Sequence, residues 1–303
     1  MARLSIFRML TLKNIKKTFD SFRAVDDISF NVSKGDIFGF LGPNGAGKTT
    51  TIRMIMGIIQ PDDGIINLNG KDIKSFSNTS LGYLPEDRGL YQKQRLEETI
   101  IYFAQLKGIN KIDAISKTRQ WLERFNLNDQ GQRKIEELSK GNQQKIQFIL
   151  SLIHDPSLLI LDEPFTGLDP INQLVLKEII EEKRKEGKTI VFSTHQMEQV
   201  ERLCTNICLI NKGKIVINGT LQEIRNSYSS KAVDVRFSGK LDNEKANTFF
   251  SEVKCTDQKV TGILNVNPRE FLSWINESVI VESFQIQVPS LEQIFIEEVN
   301  KTS

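Results

Sequence analysis

A glycine-rich segment that ends in lysine and threonine is the part of this sequence best suited to hold phosphate groups. The segment Gly42-Pro-Asn-Gly-Ala-Gly-Lys-Thr49 fits the pattern G-x-x-x-x-G-K-[ST]. Glycines let backbone N–H groups approach a phosphate, and a following helix adds the positive end of its dipole. Lys48 then reaches the outer phosphates, and Thr49 offers its hydroxyl to Mg²⁺. The predicted phosphate-binding residues are Gly42, Pro43, Asn44, Gly45, Ala46, Gly47, Lys48, Thr49 and Thr50.

An acidic pair follows a strongly apolar stretch and supplies a second set of reactive groups. Asp162 and Glu163 come directly after Leu158–Leu161, which reads as a central strand. Ligands of open α/β sheets bind at the carboxyl ends of such strands. Asp162 is therefore predicted to hold Mg²⁺, and Glu163 to orient or deprotonate an attacking water. The alternative is a pair that only stabilises a helix N-terminus, which a phosphate loop in the same chain disfavours.

The elements that position these groups alternate between short apolar strands and amphipathic helices over residues 10–224. This pattern predicts a parallel sheet covered by helices. Leu12–Phe30 alternates as antiparallel strands do, Ile37–Leu41 reads as a buried strand, and a helix is expected from Gly47 onward. The phosphate loop therefore has the strand-loop-helix context that its chemistry requires.

A helical block is expected within this first domain, at about residues 86–156. Apolar residues recur at helical spacing in Leu96–Lys107 and in Lys111–Phe125. A second domain is expected at 230–303, after a first domain at 10–229. Its strand and helix patterns resemble the split β-α-β unit of ferredoxin-like domains, and Ser290 with Gln293 forms a capping box for a final helix. The predicted fold class is α/β, with an antiparallel β part, a helical subdomain and a small α+β C-terminal domain.

Composition excludes several other classes of protein. The 303 residues carry a net charge of +2, which gives no bias toward nucleic acid. Cys204, Cys208 and Cys255 are too few for a disulfide framework and lack the partners of a zinc site, so we expect free thiols. No apolar run approaches the ~18 residues of a spanning helix. The Met1–Met9 segment lacks a signal-peptide pattern, and either methionine could be the natural start.

Further motifs follow the order found in ATP-binding cassette (ABC) ATPases, and the chain over about residues 10–224 resembles that family. Leu138-Ser-Lys-Gly-Asn142 resembles the signature Leu-Ser-Gly-Gly-Gln, with Lys140 and Asn142 as departures. Thr166-Gly-Leu-Asp169 and Ser193-Thr-His195 resemble two later loops of the family. The resemblance implies a P-loop NTPase-type cassette that binds ATP and Mg²⁺ and hydrolyses ATP.

The resemblance also assigns roles to single residues. Phe19 lies where the family stacks an aromatic ring on adenine, although Phe22 could be the stacking ring instead. Glu86 replaces the family's loop glutamine and is expected at the metal. Ser139 and Gly141 would contact the ATP of a second copy. The expected catalytic residues are Lys48, Glu163 and His195. The residues expected to bind the nucleotide, in addition to the phosphate loop, are Phe19, Glu86, Ser139, Gly141 and Asp169. The expected metal ligands are Thr49, Glu86 and Asp162.

The sequences of residues 82–91 and 288–295 resemble those of a bacterial branch of the family, whose members are called sodium-exporter-like or multidrug-exporter-like. Its members pair with a separate integral membrane permease, so we expect a homodimer at the cytoplasmic face of the membrane that drives export of an unidentified substrate. A ribosome-associated ABC protein would carry two cassettes, and a DNA-repair ATPase would carry a long coiled-coil insertion. An importer subunit is the nearest alternative, and the C-terminal segment favours the exporter branch.

Overall fold

The protein is described here from a computed structural model, which covers residues 8–75, 80–87, 89–228, 232–287 and 289–301. Met1 lies outside these ranges, so the choice between Met1 and Met9 as the start is not addressed by the structure. The expected domain boundary at 229/230 also lies outside the described residues. The contacts of the chain divide it into two compact units, one ending at Leu221 and one beginning at Gln222. Among the described residues, no helix is both long enough and apolar enough to cross a bilayer.

An antiparallel sheet of four strands opens the first unit. Its order is β2-β1-β4-β5, and β1 pairs with both β2 and β4 in antiparallel register. The alternation noted between Leu12 and Phe30 predicts this pair of strands. The strand bounds are β1 Arg8–Phe19, β2 Phe22–Ser33, β4 Asp63–Leu68 and β5 Lys71–Asp72.

A mainly parallel sheet of six strands carries the predicted chemistry. Its order is β10-β9-β3-β8-β7-β6, with only β10 antiparallel to its neighbour among the described pairs. Strands β3, β7 and β8 are buried along their whole length, as continuous apolar runs in a covered parallel sheet should be. The bounds are β3 Ile37–Leu41, β6 Leu81–Leu84, β7 Leu158–Asp162, β8 Thr189–Thr194, β9 Asn206–Asn211 and β10 Lys214–Thr220.

Helices cover this sheet and form the expected helical block. The two predicted helices of the block are confirmed, and Asn110 caps the second by accepting from the Asp113 N–H at 3.0 Å. Cys204 follows the end of a helix and Cys208 lies within β9, and both are free, buried thiols. The bounds are α1 Lys48–Ile55, α2 Leu96–Leu106, α3 Lys111–Arg124, α4 Lys140–Leu152, α5 Pro170–Lys185 and α6 Met197–Leu203.

The second unit has the strand order β12-β13-β11-β14, with every pair antiparallel. The chain order strand-helix-strand-strand-helix-strand in this sheet is the predicted split β-α-β arrangement. The first helix that lies wholly within this unit ends at Thr248, because Phe250 begins a strand and is buried in this unit's core. The bounds are β11 Ala232–Ser238, α8 Asn243–Thr248, β12 Phe250–Thr256, β13 Lys259–Leu264, α9 Pro268–Ser278, β14 Ile280–Ile286 and α10 Leu291–Lys301, and α7, Leu221–Ser227, spans the division between the units.

The capping box predicted for the last helix is confirmed. The Ser290 N–H donates to Gln293 Oε1 at 2.9 Å, and the Gln293 N–H donates to Ser290 Oγ at 3.2 Å. Two N–H groups that α10 cannot satisfy internally are thereby paired, which fixes where this helix begins.

Candidate functional site

A cavity of about 400 Å³ lies at the carboxyl end of the parallel sheet. Strand β3 leads into the glycine-rich loop, β7 ends at Asp162 and β8 ends just before His195. Because parallel strands end at one edge of a sheet, the three segments converge there. The residues lining the cavity are Phe22, Ala24, Asn44, Gly45, Gly47, Lys48, Thr49, Thr50, Glu86 and Glu163.

Glycine is required at both ends of the phosphate loop. Gly47 has φ +104°, and a Cβ there would lie 2.4 Å from the Ala24 carbonyl oxygen. At Gly42 a Cβ would lie 2.4 Å from the Ile210 carbonyl oxygen. Both positions therefore exclude a side chain for steric reasons, and Gly47 also adopts a left-handed conformation that other residues rarely take.

Lys48 spans the loop from the first turn of α1. Its ammonium donates to the carbonyl oxygens of Gly42, at 2.7 Å, and Pro43, at 3.2 Å. Burial lowers the pKa of Lys48, and the nearby carboxylates of Glu163 and Asp162 oppose that effect. Its charge therefore lies at the phosphate loop, beside the acidic pair.

Asp162 is fully buried and keeps one oxygen without a partner. The Ser193 hydroxyl donates to its Oδ1, whereas Oδ2 is buried and has no hydrogen-bond partner among the described residues. Burial raises the pKa of this carboxyl group, although the bond from Ser193 acts in the opposite direction. An unpaired buried carboxylate oxygen is costly, and a hard divalent cation would satisfy it.

Glu163 is held by three donors. Its Oε2 accepts from the Thr194 hydroxyl at 3.0 Å, and its Oε1 accepts from the His195 backbone N–H at 3.0 Å. His195 Nδ1 lies 2.7 Å from the same Oε1. The backbone of Glu163 is left-handed, with φ +50°, which is uncommon for a residue with a side chain and marks a constrained position. The structure thus fixes Glu163 and His195 as a pair at the edge of the cavity.

Glu86 and Thr49 meet on the other side of the cavity. The Thr49 hydroxyl lies 3.5 Å from Glu86 Oε2, at the outer limit of a hydrogen bond, and both side chains line the cavity. Glu86 also contributes to the electrostatic environment of Asp162, where its charge acts to raise the pKa. Glu86, Thr49 and Asp162, the three predicted metal ligands, therefore converge on one region.

The structure places Phe22, rather than Phe19, on the cavity wall. The two rings belong to facing residues at the turn between β1 and β2. Phe19 is 45% exposed and lies under the ammonium of Lys17, 5.5 Å from its ring centroid, whereas Phe22 is 62% exposed. A side chain that faces water and borders a phosphate loop is the better placed of the two to receive a base.

The signature residues and Asp169 do not line this cavity. Ser139 is exposed at the start of α4 and accepts from the Asn142 N–H at 3.2 Å. Asp169 is exposed at the start of α5 and accepts from the Asn172 N–H at 3.0 Å. Gly141 lies beside the loop before α5, where an added Cβ would be 3.3 Å from the Gly167 carbonyl oxygen. These groups are therefore available on a surface apart from the phosphate loop of their own chain.

Two supporting residues were missed by sequence reasoning. Ser193 and Thr194 hold the acidic pair from the neighbouring strand. The available signal was the presence of hydroxyl residues at the end of an otherwise apolar strand, directly before His195. Their importance depends on β7 and β8 being adjacent, which only the strand order shows.

Comparisons with known proteins define the class. The family model "ABC transporter" matches residues 25–166, and the model "ATP-binding protein DrrA1-3-like, C-terminal domain" matches residues 219–299. An uncharacterized ABC transporter ATP-binding protein of Bacillus subtilis, YhaQ, is 43% identical over 96% of this chain and 98% of its own length. The ABC transporter ATP-binding protein NatA of the same organism is 35% identical over 77% of this chain and 98% of its own length.

Two further matches agree with this class. The Nod factor export ATP-binding protein I of Burkholderia pseudomallei is 36% identical over 69% of this chain and 70% of its own length. A solved ATP-binding subunit of an ABC transporter superposes with a TM-score of 0.68 at 30% identity, covering 73% of this chain and 93% of that one. The chain belongs to the ABC transporter ATP-binding proteins, and it is an ATP-binding ATPase subunit. Within that class, it carries a C-terminal domain of the DrrA-like type.

Proposed function

We propose that this chain hydrolyses Mg²⁺-bound ATP to drive export of an unidentified substrate through a separate membrane permease. The observation that carries the proposal is that Lys48 and Glu163 line one cavity at the end of the parallel sheet, with the Asp162 carboxylate close enough to act on the charge of Lys48. The exporter direction is supported by the similarity to the Nod factor export ATP-binding protein I of Burkholderia pseudomallei.

The residues divide the chemistry between them. The loop from Gly42 to Thr50 cradles the phosphates with backbone N–H groups, and Lys48 leaves its carbonyl partners to bind the outer phosphates. Glu163 holds the attacking water and accepts its proton, while His195 steadies Glu163 and contacts the γ-phosphate. Positioning and charge stabilisation supply most of the rate in such reactions.

Mg²⁺ fits the residues present. The unpaired Oδ2 of Asp162, the Thr49 hydroxyl and the Glu86 carboxylate would hold it, and phosphate oxygens would complete its shell. In the described ranges, no group of three or more His, Cys, Asp or Glu side chains is placed to hold a metal ion. When bound, the ion neutralises phosphate charge in the transition state.

Two copies would complete the catalytic sites. Ser139 and Gly141 lie apart from the phosphate loop of their own chain, so we propose that they contact ATP bound by a second copy facing head to tail, with Asp169 beside that interface. Hydrolysis would loosen this homodimer at the cytoplasmic face of the membrane. The loop from Glu86 to Tyr91 would pass the motion to the permease, and the C-terminal domain, expected at 230–303, would be accessory.

The proposal is tested by measuring phosphate release from ATP by the purified chain. We expect turnover that requires Mg²⁺ and disappears when EDTA is added in excess of the metal. Turnover that is independent of metal, or absent from a folded chain that binds ATP as a dimer, would contradict it.

Replacement of Phe22 by alanine should weaken ATP binding. Stacking of a base on an aromatic ring is worth about 1–3 kcal/mol, so we expect affinity to fall roughly 5- to 150-fold. Phe19→Ala is the matched control and should change affinity less than threefold, because its ring lies off the cavity. Fluorescent-nucleotide titration measures both. A larger loss in Phe19→Ala would restore that residue as the stacking ring.

Glu86 should make nucleotide binding depend strongly on Mg²⁺. Its carboxylate attracts the metal but repels a metal-free γ-phosphate, and one charge at 4 Å is worth roughly 1–4 kcal/mol in polar surroundings. We expect Glu86→Gln to shrink the gain in ATP affinity on adding Mg²⁺ several-fold, while Asp87→Asn leaves it unchanged. An unchanged gain in Glu86→Gln would remove Glu86 from the metal site.

A further inference from the structure

The main chain directly after Glu163 can be held in place by few groups. Glu163 has a left-handed backbone, with φ +50°, and such a conformation persists only where surrounding contacts hold it. Pro164 follows, and a proline has no N–H to donate. Its carbonyl oxygen is therefore the only main-chain group of Pro164 that a hydrogen bond can hold.

Gln144 supplies that hydrogen bond from α4. Its Nε2 donates to the Pro164 carbonyl oxygen at 3.3 Å. The residue is only 4% exposed, so water has little access to replace the amide as the donor. A buried acceptor that loses its donor is destabilised. Removal of this amide should therefore make the loop after Glu163 move toward another donor.

Gln144 is not among the residues that line the nucleotide cavity. The Glu163 side chain is held by Thr194 and His195, whereas Gln144 acts on the main chain that follows. Any effect of Gln144 on the chemistry must therefore pass through the position of Glu163.

The helix that carries Gln144 begins at the signature residues. Gln144 lies five positions after Ser139, which is about 7.5 Å along the axis of α4. Gly141 lies against the same loop, since an added Cβ would be 3.3 Å from the Gly167 carbonyl oxygen. The first turns of α4 therefore meet the loop after Glu163 at two points, and one of them is a directed hydrogen bond.

We propose that Gln144 is a positioning residue for the general base: it holds Glu163 through the Pro164 carbonyl group and makes the position of that base depend on α4. This inference rests on the proposed function for the role of Glu163 as the base. A shift of α4 relative to the parallel sheet would displace the base and leave the phosphate loop in place.

The test measures phosphate release and fluorescent-nucleotide binding in Gln144→Met, which is close in size but has no N–H to donate. We expect turnover at saturating ATP to fall about tenfold, because a misplaced base slows the reaction, while ATP affinity stays within twofold of native. Gln144→Asn keeps the amide but shortens the side chain by about 1.5 Å, so it should show the same split between turnover and affinity.

Ser151→Ala is the matched control for loss of a buried polar group from α4. Ser151 is 2% exposed, and its hydroxyl donates within the helix, to the Phe148 carbonyl oxygen at 2.7 Å. Its removal leaves the Pro164 carbonyl group with its donor, so turnover should stay within twofold of native.

A second arm places Gln144→Met in the Glu163→Gln chain, where the base is already absent. Because Gln144 acts through Glu163, the added change should lower the remaining turnover less than twofold. A tenfold loss in both backgrounds would show that Gln144 only supports the fold, and would overturn the inference.

Native turnover in Gln144→Met and Gln144→Asn, or an equal fall in turnover and ATP affinity, would also overturn it. Either result beside normal Mg²⁺-dependent hydrolysis in the native chain would leave the proposed function intact. Absence of metal-dependent hydrolysis from the native chain itself would contradict the proposed function, and the inference with it.

Discussion

Glu163→Gln should lower ATP turnover by about two orders of magnitude or more while ATP still binds. The substitution keeps the shape of the side chain and removes the base, whose usual worth is 10²–10⁴-fold. Glutamine can still accept from the His195 N–H through its amide oxygen, and its amide nitrogen can donate to the Thr194 hydroxyl oxygen, so the cavity should keep its form. Because hydrolysis no longer releases the dimer, an ATP-held dimer should accumulate.

Phosphate release and size-exclusion chromatography with Mg²⁺-ATP measure the two effects. Glu178→Gln, an exposed glutamate on α5, is the matched control and should retain native turnover. Native turnover in Glu163→Gln would show that another group accepts the proton and that the pairing with His195 is only structural.

Gly47→Ala should abolish most of the activity without unfolding the protein. The new Cβ would have to occupy a position 2.4 Å from the Ala24 carbonyl oxygen, in a left-handed backbone that costs alanine about 1–2 kcal/mol. The loop must therefore move, and it carries Lys48 with it. A displacement near 1 Å can lower rates about 10²-fold, so we expect turnover at least about 100-fold below native.

Gly35→Ala separates the steric effect from backbone strain. Gly35 has φ +75°, and an added Cβ would meet nothing within 4 Å. This control should lose some stability and keep its turnover. Turnover in Gly47→Ala within threefold of native, measured by phosphate release, would contradict the requirement for glycine at the start of α1.

The sequence predicted the parts of the site that depend on local order. The strand-loop-helix context of Lys48 and the position of Asp162 at the end of an apolar strand follow from residue type and spacing, and the structure has both. Hydrophobic periodicity likewise predicted α2, α3 and the strands of the second unit, because burial of an apolar face determines those elements.

Contacts between distant strands could not be predicted in the same way. Ser193 bonds to Asp162 only because β8 lies beside β7, and nothing local to either residue specifies that neighbour. The choice between Phe19 and Phe22 depends on which side of the two-residue turn between β1 and β2 borders the cavity. The alternation of apolar and polar residues along a strand does not predict the geometry of a turn.

ATP should bind at the Gly42–Thr50 loop of one copy, and the signature residues Ser139 and Gly141 of a second copy should complete the binding site. The most direct measurement is a crystal structure of Glu163→Gln with Mg²⁺-ATP. We expect two copies head to tail, with phosphates at Lys48, the metal at Thr49 and Asp162, and the γ-phosphate contacted by the second copy's signature helix, α4. Nucleotide bound away from Lys48, or bound there with α4 of the second copy elsewhere, would contradict the account.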